Sequence, residues 1–528
     1  MRAGRGWVRG SAKKLTLLSF LTVPLLRAQR SSEIPQYQTS THLVQFGVMV
    51  RDKTRPVGSL TKDDFVVLDR GKPQTISVFQ AELTGPPAGP EAPLPPNTFS
   101  DEPRYNGEPP RAVTIILLDN LNTAFGSGPQ PYEDTPLWLE DQALGRAKER
   151  LLSFLQQMDP RDRVAIYGLT NRLRVLCDFT CSRDQLLAVL RAYDAGAKTA
   201  RESADPQDFH LPNASPAFNQ AIDDDTHAFA EINNERRAAL TMATLTAIAQ
   251  HVADLPGRKN LLWLTADVPA SGEAVAAVLA PANLVAYPVD ARGLLPTEVI
   301  PKGPTGVPSG QSAMVDMAAD TGGHAFLDTN NLTDAIRQVV ENSAPNYTLG
   351  FYLPQKEVDG KFHRIKVEVT KPGMALTYAR GYFAFREGGM SEDDRRKAFL
   401  EAIRSPLDSS AVPVDVRLAR VENTAHSVQV VGVAGIGGLP FEQRGEARTG
   451  ALEIYVVEQD AAGNVLAQVD QQMNLKLSEQ QYRAYLKSGI VFRALIALKP
   501  GATVLRVLVQ DVGTAEVGCV IVPLDHVK

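Results

Sequence analysis

Cysteine is scarce in this chain, three in 528 residues, as suits a compartment where stray thiols are avoided. Cys519 lies in an apolar strand pattern and reads as core. Cys177 and Cys181 flank Asp178-Phe179-Thr180, and they either close a small loop on oxidation or stay as two thiols. Histidine is sparse too: there are eight, and no two stand at the spacing of a helical or loop metal pair such as His-Glu-x-x-His. No Gly-x-Ser-x-Gly elbow is present, so an α/β hydrolase would lack its nucleophile. Neither a Gly-x-x-x-x-Gly-Lys-Ser/Thr loop nor a Gly-x-Gly-x-x-Gly turn appears, which removes the simple nucleotide readings. Gly303-Pro304-Thr305-Gly306 is only a loop, because no lysine and helix start follow it in register. Excess positive charge is missing as well, and a net charge of −5 argues against nucleic acid as a partner.

Long apolar runs are confined to the start. Arg2, Arg5, Arg9, Lys13 and Lys14 precede an apolar stretch over 15–26, which reads as a secretory signal peptide over 1–28. An uncleaved anchor is the alternative, but the run is short for a span and contains Ser19, Thr22 and Pro24. The expectation is therefore an exported protein. At 44% hydrophobic and 22% charged residues the whole chain has an ordinary globular composition, and its length calls for three or four domains.

Residues 40–84 hold short strand patterns separated by Gly, Pro and Asp turns, which predict a small β domain of the sandwich kind. Residues 85–110 carry nine prolines, too many for ladder or helix hydrogen bonding, and read as an extended linker. Residues 111–385 then alternate strand and helix. Strands are expected over 113–118, 163–169, 260–265, 283–289 and 324–327, with 173–179 antiparallel at an edge. Helices are expected over 139–158, 184–193, 236–253, 312–321 and 332–343. The polar stretch 198–235, with Asp223, Asp224 and Asp225, reads as a solvated face. This alternation predicts a doubly wound, mostly parallel sheet with helices on both faces. Strands over 347–353 and 362–369 are expected to form a hairpin across Asp359-Gly360, as part of a β extension. After a short helix over 391–404, seven strand patterns make 391–528 a second β-sandwich, like the immunoglobulin- and fibronectin-like modules of exported proteins.

The stretch Val113-Thr114-Ile115-Ile116-Leu117-Leu118 is apolar or β-branched throughout and ends in Asp119, as a buried strand delivering a carboxylate to a sheet rim would. Asp119 and Thr123 offer hard oxygen ligands on one tight loop, suited to Mg²⁺ or Ca²⁺. The plain alternative is that Asp119 caps a helix or satisfies loop amides.

From this strand to Phe385 the chain resembles the von Willebrand factor A domain, in particular the related domain of an acidobacterial family. The resemblance is carried by Leu117-Leu118-Asp119-Asn120-Leu121-Asn122-Thr123, Asp162-Arg163-Val164-Ala165-Ile166-Tyr167, the run from Leu255 to Thr265, Tyr287-Pro288-Val289-Asp290, Thr321-Gly322-Gly323 and Tyr347-Thr348-Leu349-Gly350-Phe351. It implies a metal-ion-dependent adhesion site of the pattern Asp-x-Ser-x-Ser, with a later Thr and a later Asp. Here Asp119 and Thr123 match the first and last positions, Leu121 replaces the middle serine, and Asn122 is the nearest substitute. Asp267 is the later carboxylate, displaced by one residue, and Thr241 and Thr244 are both candidates for the threonine. The resemblance implies a non-enzymatic, exported binding protein that meets a protein partner over this rim, with or without a cation. A structural envelope module with a decayed site is the alternative, and an exported hydrolase is held in reserve. On the leading reading Asp119 is open to solvent beside Asp267.

Overall fold

The computed structural model describes residues 42–526 apart from 53–54, 82–93, 102–112, 123–137, 160–161, 194–215, 254, 256–257, 292–309, 328–336, 338, 340–346, 355–356, 358, 360, 385–390, 422–426, 438, 440 and 445–446. The signal peptide, Thr123 and most of the helix expected over 332–343 lie outside the described residues.

Short strands come first: β1 (His42–Asp52), β2 (Arg55–Pro56), β3 (Phe65–Asp69), β4 (Lys72–Gln74), β5 (Val78–Ala81) and, among the prolines, β6 (Thr98–Ser100). The central segment follows as β7 (Val113–Asp119), α1 (Trp138–Gln157), β8 (Arg163–Leu169), β9 (Leu173–Cys177), α2 (Arg183–Ala192), α3 (Pro216–His251), β10 (Lys259–Thr265), α4 (Gly272–Leu279), β11 (Leu284–Asp290) and α5 (Gln311–Thr321).

These five strands form one sheet in the order β11-β10-β7-β8-β9, parallel except for β9. Every residue of β7, β10 and β11 is buried, and the core clusters show why the middle of each strand is apolar on both faces. Ile116 and Leu118 pack with Leu151 and Leu155 of α1 and Leu186 and Leu190 of α2. Their neighbours Ile115 and Leu117 pack on the other side with Leu245 and Ile248 of α3, Val275 of α4 and Met314 of α5. Successive side chains of a strand point to opposite faces, so a sheet covered by helices on both favours a continuous apolar run, with the polar residues Thr114, Lys259, Asn260, Asp119, Thr265 and Asp290 at or near the strand ends.

Two helices differ from expectation. α3 starts at Pro216, far before 236, because a polar stretch shows no apolar period to read even where the chain is helical. α4 was not anticipated. At eight residues it is too short for a clear period, and its signal is the Ser271 cap, whose hydroxyl accepts from the Ala274 N–H at 3.2 Å. The strand expected over 324–327 is reduced to a single parallel bridge, Phe326 to Val289.

The chain then gives β12 (Tyr347–Leu353), β13 (Phe362–Val369), β14 (Met374–Tyr378) and β15 (Gly381–Phe383). The expected hairpin between β12 and β13 does not form. β12 lies between β1 and β5 in the sheet β14-β1-β12-β5, whereas β13 lies between β15 and β3 in the sheet β15-β13-β3-β4. The two sheets enclose one core, in which Tyr347, Leu349 and Phe351 of β12 meet Ile365 and Val367 of β13, Phe65 and Val67 of β3 and Val48 of β1. Both strands have an apolar face, and those faces cover each other from opposite walls. Asp359-Gly360 is a local turn signal that the long-range burial overrides. The strands of 40–84 and those of the β extension thus share sheets, and the α/β segment is inserted between the neighbours β5 and β12, where Ala81 pairs with Tyr347.

After α6 (Glu392–Arg404) come β16 (Ser409–Ser410), β17 (Val414–Arg420), β18 (Ser427–Ala434), β19 (Glu442–Arg444), β20 (Ala447–Gln459), β21 (Val465–Ser478), α7 (Glu479–Ser488), β22 (Ile490–Ala497), β23 (Val504–Asp511) and β24 (Val517–Pro523). They make two sheets on a shared core, β16-β24-β23-β20-β19 with β21 on β20, and β22-β18-β17-β6. β6 is the unexpected member. Thr98, Phe99 and Ser100 pair with Arg417, Val416 and Asp415, and both carboxylate oxygens of the buried Asp101 accept from the Val414 N–H at 2.9 Å. The proline-rich stretch therefore supplies an edge strand to a sheet more than three hundred residues away in sequence, and a sheet edge is where a strand flanked by proline is tolerated.

Candidate functional site

From β7 the chain moves outward through β8 to β9, and with β10 it restarts on the other side of β7. The gap between the carboxyl ends of β7 and β10 is therefore the switch point where open α/β sheets bind ligands. Asp119 ends β7, and Thr265-Ala266-Asp267 follows the end of β10.

Asp119 is not open to solvent, contrary to the leading sequence reading. It is 1% exposed. Oδ1 accepts from the Asn122 N–H at 3.0 Å, and Oδ2 accepts from Asn122 Nδ2 and from Trp263 Nε1, both at 2.8 Å. Burial raises the Asp119 pKa, against the pull of these hydrogen bonds from Asn122 and Trp263. Of the two plain readings, this geometry has Asp119 satisfying loop amides.

The other candidates fall around it. Leu121 packs against the apolar cluster beneath α3, α4 and α5, which explains a leucine at that loop position. Asn122 is buried, and its Nδ2 also donates to Thr241 Oγ1 at 2.9 Å, so Thr241 of α3 joins the site. Thr244, one turn on, is buried. Asp267 is the carboxylate that reaches solvent, with its side chain 38% exposed. Its Oδ1 accepts from the Val268 N–H, and Gly310 stands so close that a Cβ there would lie 2.6 Å from the same oxygen.

Arg237 of α3 is the residue the sequence reading missed. Its Nε donates to Asn122 Oδ1 at 3.2 Å, one terminal nitrogen to Asn234 Oδ1 at 3.2 Å, and the other to Asp267 Oδ2 at 3.4 Å. The guanidinium thus links the loop after β7 to the loop after β10. Its only sequence signal is its place one turn before Thr241 on the same helix.

A second buried polar group lies where the α/β segment meets the C-terminal sheets. His251, at the end of α3, directs Nε2 to Asp178 Oδ2 at 3.2 Å and Nδ1 to the Asp408 carbonyl at 3.0 Å. Tyr167 donates to the same Asp178 carboxylate, and the Ser410 hydroxyl donates to the His251 carbonyl. Both ring nitrogens are thus engaged by these two partners. Beside it Cys177 and Cys181 are joined in a disulfide, with Cα atoms 6.0 Å apart, and Cys519 is a buried free thiol. Among the described residues no group of His, Cys, Asp and Glu is placed to hold a metal ion, and no helix is long and apolar enough to cross a membrane.

No protein-family model matches the chain, and no curated protein matches it. Solved structures similar to it include proteins of the von Willebrand A type. An aerotolerance-related membrane protein from Bacteroides fragilis matches at 11% identity and a TM-score of 0.26, over 44% of this chain and 98% of that one. BatB from Bacteroides thetaiotaomicron matches at 12% and 0.25, over 44% and 98%. A von Willebrand factor type A protein from Catenulispora acidiphila matches at 10% and 0.21, over 93% and 77%. At these scores the likeness extends no activity or partner to this chain.

Proposed function

We propose that this chain is an exported, non-enzymatic binding protein. Its inserted α/β segment, a doubly wound domain of the von Willebrand A kind, engages a protein partner over the loops that follow β7 and β10, with the two-sheet units on either side as its support. The observation that carries this reading is the division of labour at the switch point: Asp119 is sealed and saturated by N–H groups, while Asp267 alone of the two carboxylates reaches solvent. A buried carboxyl fixed by three donors is built to hold loops in place. Acid, base or nucleophilic work would require contact with a substrate.

The alternative, an envelope module whose adhesion site has decayed, is favoured by Leu121 turning into the core. Capture from envelope extract with the full chain separates the two. On the binding reading Asp267→Asn, which removes the charge but keeps an acceptor for Arg237 and for the Val268 N–H, loses captured protein while its melting temperature stays near that of the wild type. Unchanged capture by that variant supports the decayed module and retires the rim as a contact face.

A further inference from the structure

The site carries its own cation. We propose that the Arg237 guanidinium stands where the resemblance implies a divalent ion, so that the rim is organised without metal; this rests on reading the rim as the contact face.

The donor set is what argues against a bare ion. Mg²⁺ and Ca²⁺ need about six or more oxygen ligands at roughly 2.0–2.6 Å. Asp119 instead accepts from the Asn122 backbone, the Asn122 amide and the Trp263 indole, and an ion there would have to displace those N–H groups. Asn122 is oriented by both neighbours at once. Its Nδ2 donates to Asp119 and Thr241 while its Oδ1 accepts from Arg237, and a reversed amide would set oxygen against carboxylate and NH₂ against guanidinium. The oxygens of Asn122, Asn234 and Asp267 each meet a different nitrogen of the guanidinium, at 3.2–3.4 Å, so their spread matches a planar fork of donors. Leu121, at the position of the missing ligand, packs into the core.

A planar, permanently charged fork can bridge two loops and still leave one carboxylate, Asp267, partly in water. The site so described takes a partner with a hydrogen-bond donor or cationic group for Asp267, and contact does not depend on divalent ions.

The test is thermal melting and calorimetric titration of the full chain with MgCl₂, CaCl₂ and MnCl₂, against EDTA, for wild type, Arg237→Ala and Arg237→Ala/Asp267→Asn. Expected are an unchanged wild-type midpoint in every salt, a lowered Arg237→Ala midpoint that at least one ion raises by several degrees, and loss of that rescue in the double variant. Arg237→Gln, which keeps a donor for Asn122 Oδ1, replaces Arg237→Ala if the latter does not fold. Wild-type binding of a divalent ion that Asp119→Asn or Asp267→Asn abolishes would overturn the proposal, as would the absence of any gained metal response in both Arg237 variants. No partner enters this titration, so its failure is distinct from a failure of the capture experiment.

Discussion

The indole N–H of Trp263, on β10, donates to the carboxylate of Asp119, on β7, at 2.8 Å, with both residues buried. This bond ties together the two strand ends that flank the switch point. Trp263→Phe keeps most of the ring volume and leaves Asp119 Oδ2 short of one donor, at a cost of about 1–3 kcal/mol. Urea unfolding monitored by circular dichroism reads that loss, and a variant as stable as wild type would show that the bond contributes nothing net.

Asp101 makes an equally local claim. Asp101→Ala leaves the buried Val414 N–H without its carboxylate acceptors, and a loss of about 1–3 kcal/mol is expected. Because β6 completes the sheet β22-β18-β17-β6, residues 391–528 expressed alone should melt lower than the same residues given back 94–101 through a flexible linker. Equal melting curves would mean that β6 is dispensable.

The His251 junction sets a pH dependence. Burial opposes charge on the ring, but the Asp178 side chain beside it, with Asp408, offsets that and raises its pKa above 6.5. Asp408 is pushed up to about 6 by burial, against the pull of His251 and Arg506. For both groups the folded state holds the proton more tightly, so their contributions are present at low pH and are lost as pH rises, for His251 from about 6.5 upward. Burial also works on Asp178, yet bonds from His251 and Tyr167 leave its pKa lowered, and that contribution disappears only as pH falls below the ordinary carboxylate range. Melting temperature should therefore decline from pH 6.5 to pH 9 in the wild type, and less steeply in His251→Gln. Parallel curves would remove His251 as the cause.

Thiol accounting is direct. With Cys177 bonded to Cys181, native protein should take up no maleimide, because Cys519 is fully buried, and unreduced denatured protein should take up one equivalent. Three equivalents without reductant would mean an open loop.

The α/β order was legible because buried parallel strands are written as continuous apolar runs, and β7, β8, β10 and β11 fall within a residue or two of their expected places. What the sequence hid were relationships with no local mark. β6 is three residues among prolines, and only the unpaired edge of β17 explains why they are extended. The exchange of β12 and β13 between sheets follows from which apolar faces meet, and the Asp-Gly signal says nothing about that. At the site, Asp119, Asn122 and Asp267 could be picked out by residue type, whereas Arg237 could not, since a lone arginine on a polar helix looks like any solvated one.

The insertion leaves β5 and returns at β12, where Ala81 and Tyr347 are cross-strand partners. Tension applied at the rim of the α/β segment would reach β12 directly on the C-terminal side of the insert, and on its N-terminal side would meet β6, paired with β17, before it reached β5. The two leads are moored in different sheets, so a pull on the rim is divided between the N-terminal and the C-terminal strands.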